Sequence, residues 1–259
     1  MKKILRRIIN GKPSEVSRLL AEATPFPRYT PHRFVYKGLK FEVTDFLSVA
    51  WQIAEVFGEE RLKFVSTTTQ PRIIDCGANV GTTVMYFRTL FPNARITAFE
   101  ADPNVFACLK RNLESNGMSD VDIQQKVVWT HADGASFGGD GADGGSVMTS
   151  ANAVVLPSVR LRDVLAAESE VDLLKVDIEG AETKVITDCD ELLRKVRFIS
   201  VEYHSLMDQP QELDRLLAVL GKNGFRYSIH RIGTFHVQPF VKMEPGAMDL
   251  QLDIHAIRK

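Results

Sequence analysis

At positions 72–81 the chain reads R-I-I-D-C-G-A-N-V-G, which sets an acid beside two stretches of bare backbone. The apolar pair Ile73 and Ile74 runs into Asp75, and two glycines four apart, Gly77 and Gly81, follow. That order suits a buried strand that ends in an open turn and launches a helix, with the Asp75 carboxylate beside a ligand. Glycine is the residue of choice where backbone takes unusual dihedrals or approaches a ligand closely. In open α/β sheets the crevice at the carboxyl ends of the strands is where ligands bind. The spacing D-x-G-x-x-x-G departs from the G-x-G-x-x-G of dinucleotide sites. Thr82 and Thr83 after Gly81 also leave no P-loop lysine. An acid inside the turn would repel a phosphate and suits a ligand with a cationic end.

A second acid narrows the ligand. The segment 95–100, R-I-T-A-F-E, is a short alternating strand ending in Glu100, 25 positions after Asp75. An acid at the tip of the second strand, roughly 20 residues past the glycine turn, can take both hydroxyls of a ribose. Alone, Glu100 would read as a solvated strand-end acid; coupled to the turn it implies a nucleoside. Asp102 can cap the following helix, with Pro103 at its first position. S-adenosylmethionine, a nucleoside with an ammonium and a sulfonium but no phosphate, meets both requirements.

Methyl transfer from a sulfonium is an in-line displacement that depends on positioning the acceptor. A hydroxyl acceptor also needs its proton removed, by a base or through a metal that lowers its pKa. Candidates belong at the carboxyl tips of the central strands. Lys175 and Asp177 are two apart and share a face. Lys175 either joins the chemistry or forms a structural ion pair with Asp177 or Glu202. Glu182 is either a helix-dipole partner or catalytic. Glu202 and His204 alternate onto one face, and His204, titrating near neutrality, is the natural general base. Asp177, Glu202 and His204 could in principle collect Mg2+, but that ion prefers oxygen ligands, so no metal is expected. Val128 and Trp129 should line the adenine pocket, Trp129 either by stacking or as plain core, and Asp133 is either an acceptor for the adenine amino group or, beside Gly134, a turn acid. His230, His236 and His255 have no comparable context.

These motifs resemble class I S-adenosylmethionine-dependent methyltransferases, and within them the FkbM-like family. D-C-G-A-N-V-G at 75–81 is similar to that family's D-x-G-A-N-x-G. The run at 99–116, F-E-A-D-P-N-V-F-A-C-L-K-R-N-L-E-S-N, resembles its F-E-P-x-P-x-x-x-x-x-L-x-x-N-x-x-x-N, with Ala101 in place of the usual proline. The stretch L-L-K-V-D-I-E-G-A-E at 173–182 resembles its K-x-D-x-E-G-x-E, and E-Y-H at 202–204 its E-x-H. The resemblance covers about half the chain, from Asp75 to His204. It implies cofactor contacts at Asp75, Gly77, Asn79, Gly81, Glu100, Ala101, Val128, Trp129 and Asp177, and catalytic roles at Asp177, His204, Lys175 and Glu202. The implied activity is methylation of a hydroxyl on a sugar, polyketide or related metabolite. A non-catalytic cofactor-binding subunit of a partner biosynthetic enzyme is the alternative. The implied fold is Rossmann-like: a mostly parallel, doubly wound seven-stranded sheet with an antiparallel edge strand.

The elements must supply that frame. Strand patterns fall at 72–75, 95–99, 122–128, 172–177 and 197–203, with helical patterns at 80–91, 103–116, 160–167, 181–194 and 211–223. Segments 225–230 and 250–258 should form the closing hairpin. Residues 1–70 read as an N-terminal helical and hairpin extension, and 71–259 as the cofactor-binding domain. Within the extension, 1–23 form one or two helices broken at Gly11-Lys12-Pro13-Ser14. The proline-rich arm 24–31 is extended, 33–43 a hairpin, and Thr44 or Asp45 caps a helix through Val56. Ile4, Leu5, Ile8 and Ile9 give a basic amphipathic helix that packs on the domain or a second copy, with an anionic membrane surface as the other reading. The glycine-rich segment 133–146 is expected to be a mobile loop rather than a calcium repeat. The segment 24–43, this loop and 232–249 should shape the acceptor pocket.

Composition agrees with an enzyme of this kind. Of 259 residues, 44% are hydrophobic and 25% charged, ordinary for a globular chain. A net charge of −1 gives no basic field for nucleic acid. The N/D-P-P-Y/F tetrapeptide of amino-methylating enzymes is missing too. Three cysteines without metal spacing read as buried thiols in a reducing cytoplasm. No apolar run approaches the roughly 20 residues that cross a bilayer.

Overall fold

The computed structural model describes residues 14–138, 154–207, 209–232 and 248–258. The predicted basic helix, most of the glycine-rich segment, His236 and most of 232–249 lie outside them. Within the extension, α1 (Glu15–Ala23) starts at Ser14, whose side chain accepts from the Ser17 amide. The hairpin β1 (His32–Tyr36) and β2 (Leu39–Val43) follows, then α2 (Phe46–Ile53), which continues as a π-turn at Ala54–Gly58. Asp45 is the α2 cap: it accepts from the Ser48 amide at 2.9 Å, and from the Tyr29 amide and Arg28 Nε at 2.7 Å each. The proline-rich arm is thereby tied to the start of α2.

From β3 (Arg72–Cys76) the chain alternates as expected: α3 (Thr82–Leu90), β4 (Arg95–Glu100), α4 (Pro103–Ser115), β5 (Asp122–Gln125). Short strands β6 (Val127–Trp129), β7 (Ala135–Phe137), β8 (Val154–Leu156) and β9 (Ser158–Arg160) come next, then α5 (Leu161–Ala167) and β10 (Val171–Val176). The last part holds α6 (Glu182–Cys189), a 3-10 turn (Asp190–Lys195), β11 (Val196–Leu206), α7 (Leu213–Lys222), β12 (Phe225–Arg231) and β13 (Met248–Arg258). Seven strands form one sheet in the order β12-β13-β11-β10-β3-β4-β5. The inner pairs are parallel, and β13 runs antiparallel to both β11 and β12. This is the Rossmann-like, mostly parallel, doubly wound order that the resemblance implies, closed by the β12–β13 hairpin.

The strand expected at 122–128 is two strands. After β5 the Lys126 amide turns back onto the Gln124 carbonyl at 3.0 Å, and β6 leaves the sheet to pair with β9. The helix expected over 181–194 ends at Cys189, where Asp190 takes φ 31° and the chain tightens into the 3-10 turn.

Period-2 alternation explains the layers. In β3 every residue is buried, Ile73 facing one hydrophobic cluster and Ile74 the other. The Ile73 cluster takes in α1, the hairpin, α2, α3 and α4; the Ile74 cluster takes in α5, α6 and α7. The motif asparagines have a packing reason. Asn112 donates to the Val80 and Glu42 carbonyls at 2.8 Å each and accepts from the Glu42 amide at 2.6 Å. Asn116 exchanges bonds with the Lys40 backbone at 2.9 and 2.8 Å. Two turns of α4 thus satisfy the open edge of β2 and hold it against the glycine turn.

Candidate active site

The turn after β3 is held between two neighbouring strand tips. The Gly77 and Ala78 amides donate to the Phe99 carbonyl of β4 at 3.0 and 2.9 Å, and the Asp177 amide donates to the Cys76 carbonyl at 3.0 Å. Gly77 has φ 83°, Asn79 φ 49° and Gly81 φ 94°. A side chain at Gly77 has no room, because a Cβ there would lie 1.7 Å from the Asp177 carbonyl oxygen.

Asp75 does not reach the ligand side, contrary to the sequence expectation. It is fully buried beneath the turn, in register between Lys175 of β10 and Ala98 of β4. One oxygen accepts from the Thr83 hydroxyl, and the other faces Lys175 Nζ at 3.4 Å. Lys175 also donates to the Gly77 carbonyl at 2.9 Å and to Asp177 Oδ2 at 3.2 Å. These contacts tie β3, the turn and the β10 tip together. The ammonium is held protonated by Asp177 and Asp75 against the cost of burial. Of the two readings open for Lys175, the ion pair is the one formed, and its partners are Asp177 and Asp75.

Above the turn lies a cavity of about 550 Å3. Gly77, Asn79, Glu100, Ala101, Val128 and Asp177 line it; Asp75, Gly81, Trp129, Asp133 and His204 do not. At one end Glu100 accepts from the Asn79 amide at 2.9 Å and the Asp102 amide at 2.8 Å. Burial pushes its pKa to about 7. Phe99, Val127, Val128 and Phe137 make an apolar flank beside it. Trp129, a candidate to stack on a base, instead carries Lys184 over its ring at 5.8 Å and packs edge-on to His131. It does not line the cavity, although Val127 and Val128 of the same strand do.

At the other end, the tips of β10 and β11 bring Asp177, Glu179 and Glu202 to the cavity wall. Behind them sits His204, whose side chain is 1% exposed. Its Nδ1 faces the buried Glu182 at 3.1 Å, and its Nε2 lies 3.5 Å from both Glu179 and Glu202. Burial works against the charged ring, but Glu182, Glu202 and Glu179 outweigh it and raise the pKa well above the usual histidine value. An imidazolium enclosed by acids has no lone pair to accept a proton at neutral pH, so the expectation of His204 as a free base does not match this geometry. Glu182 binds the Ile178 amide at 3.1 Å and the Gly180 amide at 3.0 Å as well, so it organises the 177–180 loop as more than a dipole partner.

Asp177, Glu179 and His204 offer atoms within 4.8 Å of one another, a spread that a metal could bridge. The grouping differs from the expected Asp177, Glu202 and His204. A metal on Nε2 would have to displace the proton that these acids hold there.

The crowding of acids has a consequence for stability. Burial first, then neighbouring acids, raises Glu179 to about 9 and Glu55 to about 7, and raises Glu202 as well. Each raised group contributes stability that is fully present below its unfolded pKa, about 4.3 for glutamate and about 6.5 for histidine. That contribution is lost as pH rises through the folded value. The folded chain therefore binds more protons than the unfolded chain, and unfolding free energy falls with rising pH. The urea midpoint of the ligand-free protein should drop between about pH 5 and about pH 9. A midpoint that climbs over that range would contradict the proton-holding cluster.

Several lining residues were not singled out from sequence. Glu179 stands inside the quoted signature, and the Glu179-Gly180 pair with φ 56° and 100° is the local mark of a loop bent toward the cavity. Gln251, which donates to Glu202 at 2.6 Å, comes from β13. Trp51, Gln52, Glu55 and Arg61 come from the N-terminal elements. Their spacing announced a helix, but nothing local tied that helix to the sheet tips.

Comparison with known proteins agrees with this architecture. The family model described as Methyltransferase FkbM domain matches residues 75–227. The AMB antimetabolite synthetase AmbE of Pseudomonas aeruginosa is 26% identical over 243 residues, covering 75% of this chain. The chain spans only 11% of that relative's length. Hexuronic acid methyltransferase AglP of Haloferax volcanii is 26% identical over 174 residues, 65% of this chain and 71% of that protein. The 2-O-methyltransferase NoeI of Sinorhizobium fredii is 29% identical over 153 residues, 51% of this chain and 63% of that protein.

Proposed function

This chain belongs to the FkbM methyltransferase family, and from that premise we propose that it methylates a hydroxyl of a small molecule or glycan, such as a sugar, a polyketide or a related metabolite. Membership makes it an S-adenosylmethionine-dependent methyltransferase. The observation that carries the hydroxyl reading is a single cavity with Glu100 at one end and Asp177 and Glu202 at the other. The names of two relatives, a hexuronic acid methyltransferase and a 2-O-methyltransferase, support it.

The residues present suit the donor. Glu100, anchored by two backbone amides, keeps lone pairs for two ribose hydroxyls. Phe99, Val127 and Val128 suit the flat face of a purine, and the acids at the far end suit a sulfonium. When bound, the donor supplies an electrophilic methyl group. Glu202, about a quarter exposed and raised in pKa by burial and Asp177, takes the hydroxyl proton as the oxygen attacks. Gln251 and the His204 imidazolium hold that carboxylate in place. Asp177, fixed by Lys175, orients the acceptor. His204 and Lys175 are thus positioning residues in this reading.

Two measurements test it. Incubation with methyl-labelled donor and a panel of glycosides and polyketide alcohols should give an O-methyl product by NMR; a methyl on nitrogen, carbon or a carboxylate would overturn the hydroxyl reading. Glu202→Gln should lower kcat by about 10²- to 10³-fold, with donor affinity unchanged by calorimetry. Full turnover in that variant rejects Glu202 as the base.

A further inference from the structure

One face of α2 and its π-turn forms the wall opposite the strand tips. Leu47, Ser48, Trp51, Gln52, Glu55 and Val56 lie at i, i+3 and i+4 spacing and line the cavity. The other face, with Phe46, Val49, Ala50, Ile53 and Phe57, is buried in the core, so the wall is anchored rather than loose. On it Trp51 is 43% exposed, a large indole uncovered inside a cavity whose other walls are rich in acids and amides.

We propose that Trp51 is the platform for a pyranose ring, stacked by its apolar C–H face with its hydroxyls turned to the surrounding polar groups. This rests on the O-methyltransferase reading and sharpens its acceptor. An aromatic body next to polar partners is the arrangement that a sugar needs, since the ring has an apolar face and a hydroxyl rim. Gln52, Glu55, Glu202 and Gln251 supply that rim.

Five carboxyl groups line this compartment: Glu55, Asp177, Glu179, Glu202 and Asp253. Burial holds Glu179 at about 9 and Glu55 at about 7, so near neutrality these two offer hydroxyl donors as well as acceptors to a sugar rim. Arg61 binds Glu55 at 3.2 Å and Asp253 at 2.8 Å, which fixes the rim in place.

The chain has two tryptophans, Trp51 and Trp129, and only Trp51 lines the cavity, so Trp129→Phe leaves one fluorescent reporter in the site. S-adenosylhomocysteine binding is first verified by calorimetry, then the saturated protein is titrated with methyl glucopyranoside, mannopyranoside and galactopyranoside, and with simple phenols. At least one neutral pyranoside should shift Trp51 emission saturably, and calorimetry on the unsubstituted chain should agree. Trp51→Ala should weaken pyranoside binding by about tenfold and leave S-adenosylhomocysteine untouched, with Trp51→Phe restoring most of it. The proposal is overturned by either of two results: no pyranoside binds, or only phenols bind. Loss of S-adenosylhomocysteine binding in the unsubstituted chain is a different failure, which removes the donor reading and this proposal with it.

Discussion

Gly77→Ala should leave a chain that no longer binds S-adenosylhomocysteine and is destabilised by more than about 4 kcal/mol. The added Cβ would sit 1.7 Å from the Asp177 carbonyl oxygen and 2.9 Å from its carbon, both backbone atoms. Neither can yield without moving the tip of β10, which is pinned by the Asp177 amide on the Cys76 carbonyl. The variant must therefore part β3 from β10 at the point where the cavity floor is built. Gly38→Ala is the control. It has nearly the same dihedral, φ 80°, but nothing within 4 Å of the new atom. It should cost only the left-handed strain, about 1–2 kcal/mol, and leave ligand affinity intact. Urea denaturation and calorimetry on both proteins separate dihedral strain from collision. Equal losses in the two would show that the close approach at Gly77 is not the governing contact.

Lys175→Met is the second large effect. It leaves the Asp75 carboxylate fully buried with only the Thr83 hydroxyl for company, and strips the Gly77 carbonyl of its donor. Breaking a buried pair from one side costs about 3–5 kcal/mol, because the remaining charge is uncompensated. Asp75→Asn in the same chain should recover part of that loss, since an amide can stay buried uncharged, and the double-mutant cycle measures the coupling. Because the Lys175 pKa is raised, its contribution is fully present below the unfolded value of about 10.4. It would be lost only as pH climbs through the still higher folded value. The deficit should nonetheless widen as pH rises, because in the variant the buried Asp75, already raised by desolvation and now without its lysine, escapes its charge only by taking up a proton. A Lys175→Met chain as stable as its parent would sink the view that this pair holds the floor.

Much of the frame was readable because its signals are local. Ile73 and Ile74 ahead of an acid and two glycines mark a buried strand and its turn, since burial on both faces and positive φ are properties of neighbouring residues. Asp102 before Pro103 marks the start of α4 for the same reason, and Glu100 follows at the spacing a strand–turn–helix–strand unit imposes. The same local logic erred where a single backbone bond redirects the chain, as at Lys126, and so drew one strand where there are two.

Charge and exposure obey another rule, because they are sums over residues distant in the chain. Asp75 looked like a ligand-facing acid until Lys175, 100 positions away, was paired with it across the β3–β10 register. His204 read as a neutral base from its own pKa, but acids at 179 and 182, in the segment after β10, and at 202 on its own strand converge on it and keep it protonated. The wall carrying Trp51 and Glu55 comes from the N-terminal elements, docked onto the sheet by a shared hydrophobic cluster. Spacing along the chain thus told where backbone must turn and where an acid must stand. Which carboxylates stay charged, which proton is held and what faces the acceptor were left to packing, since desolvation and pairing depend on every group within reach.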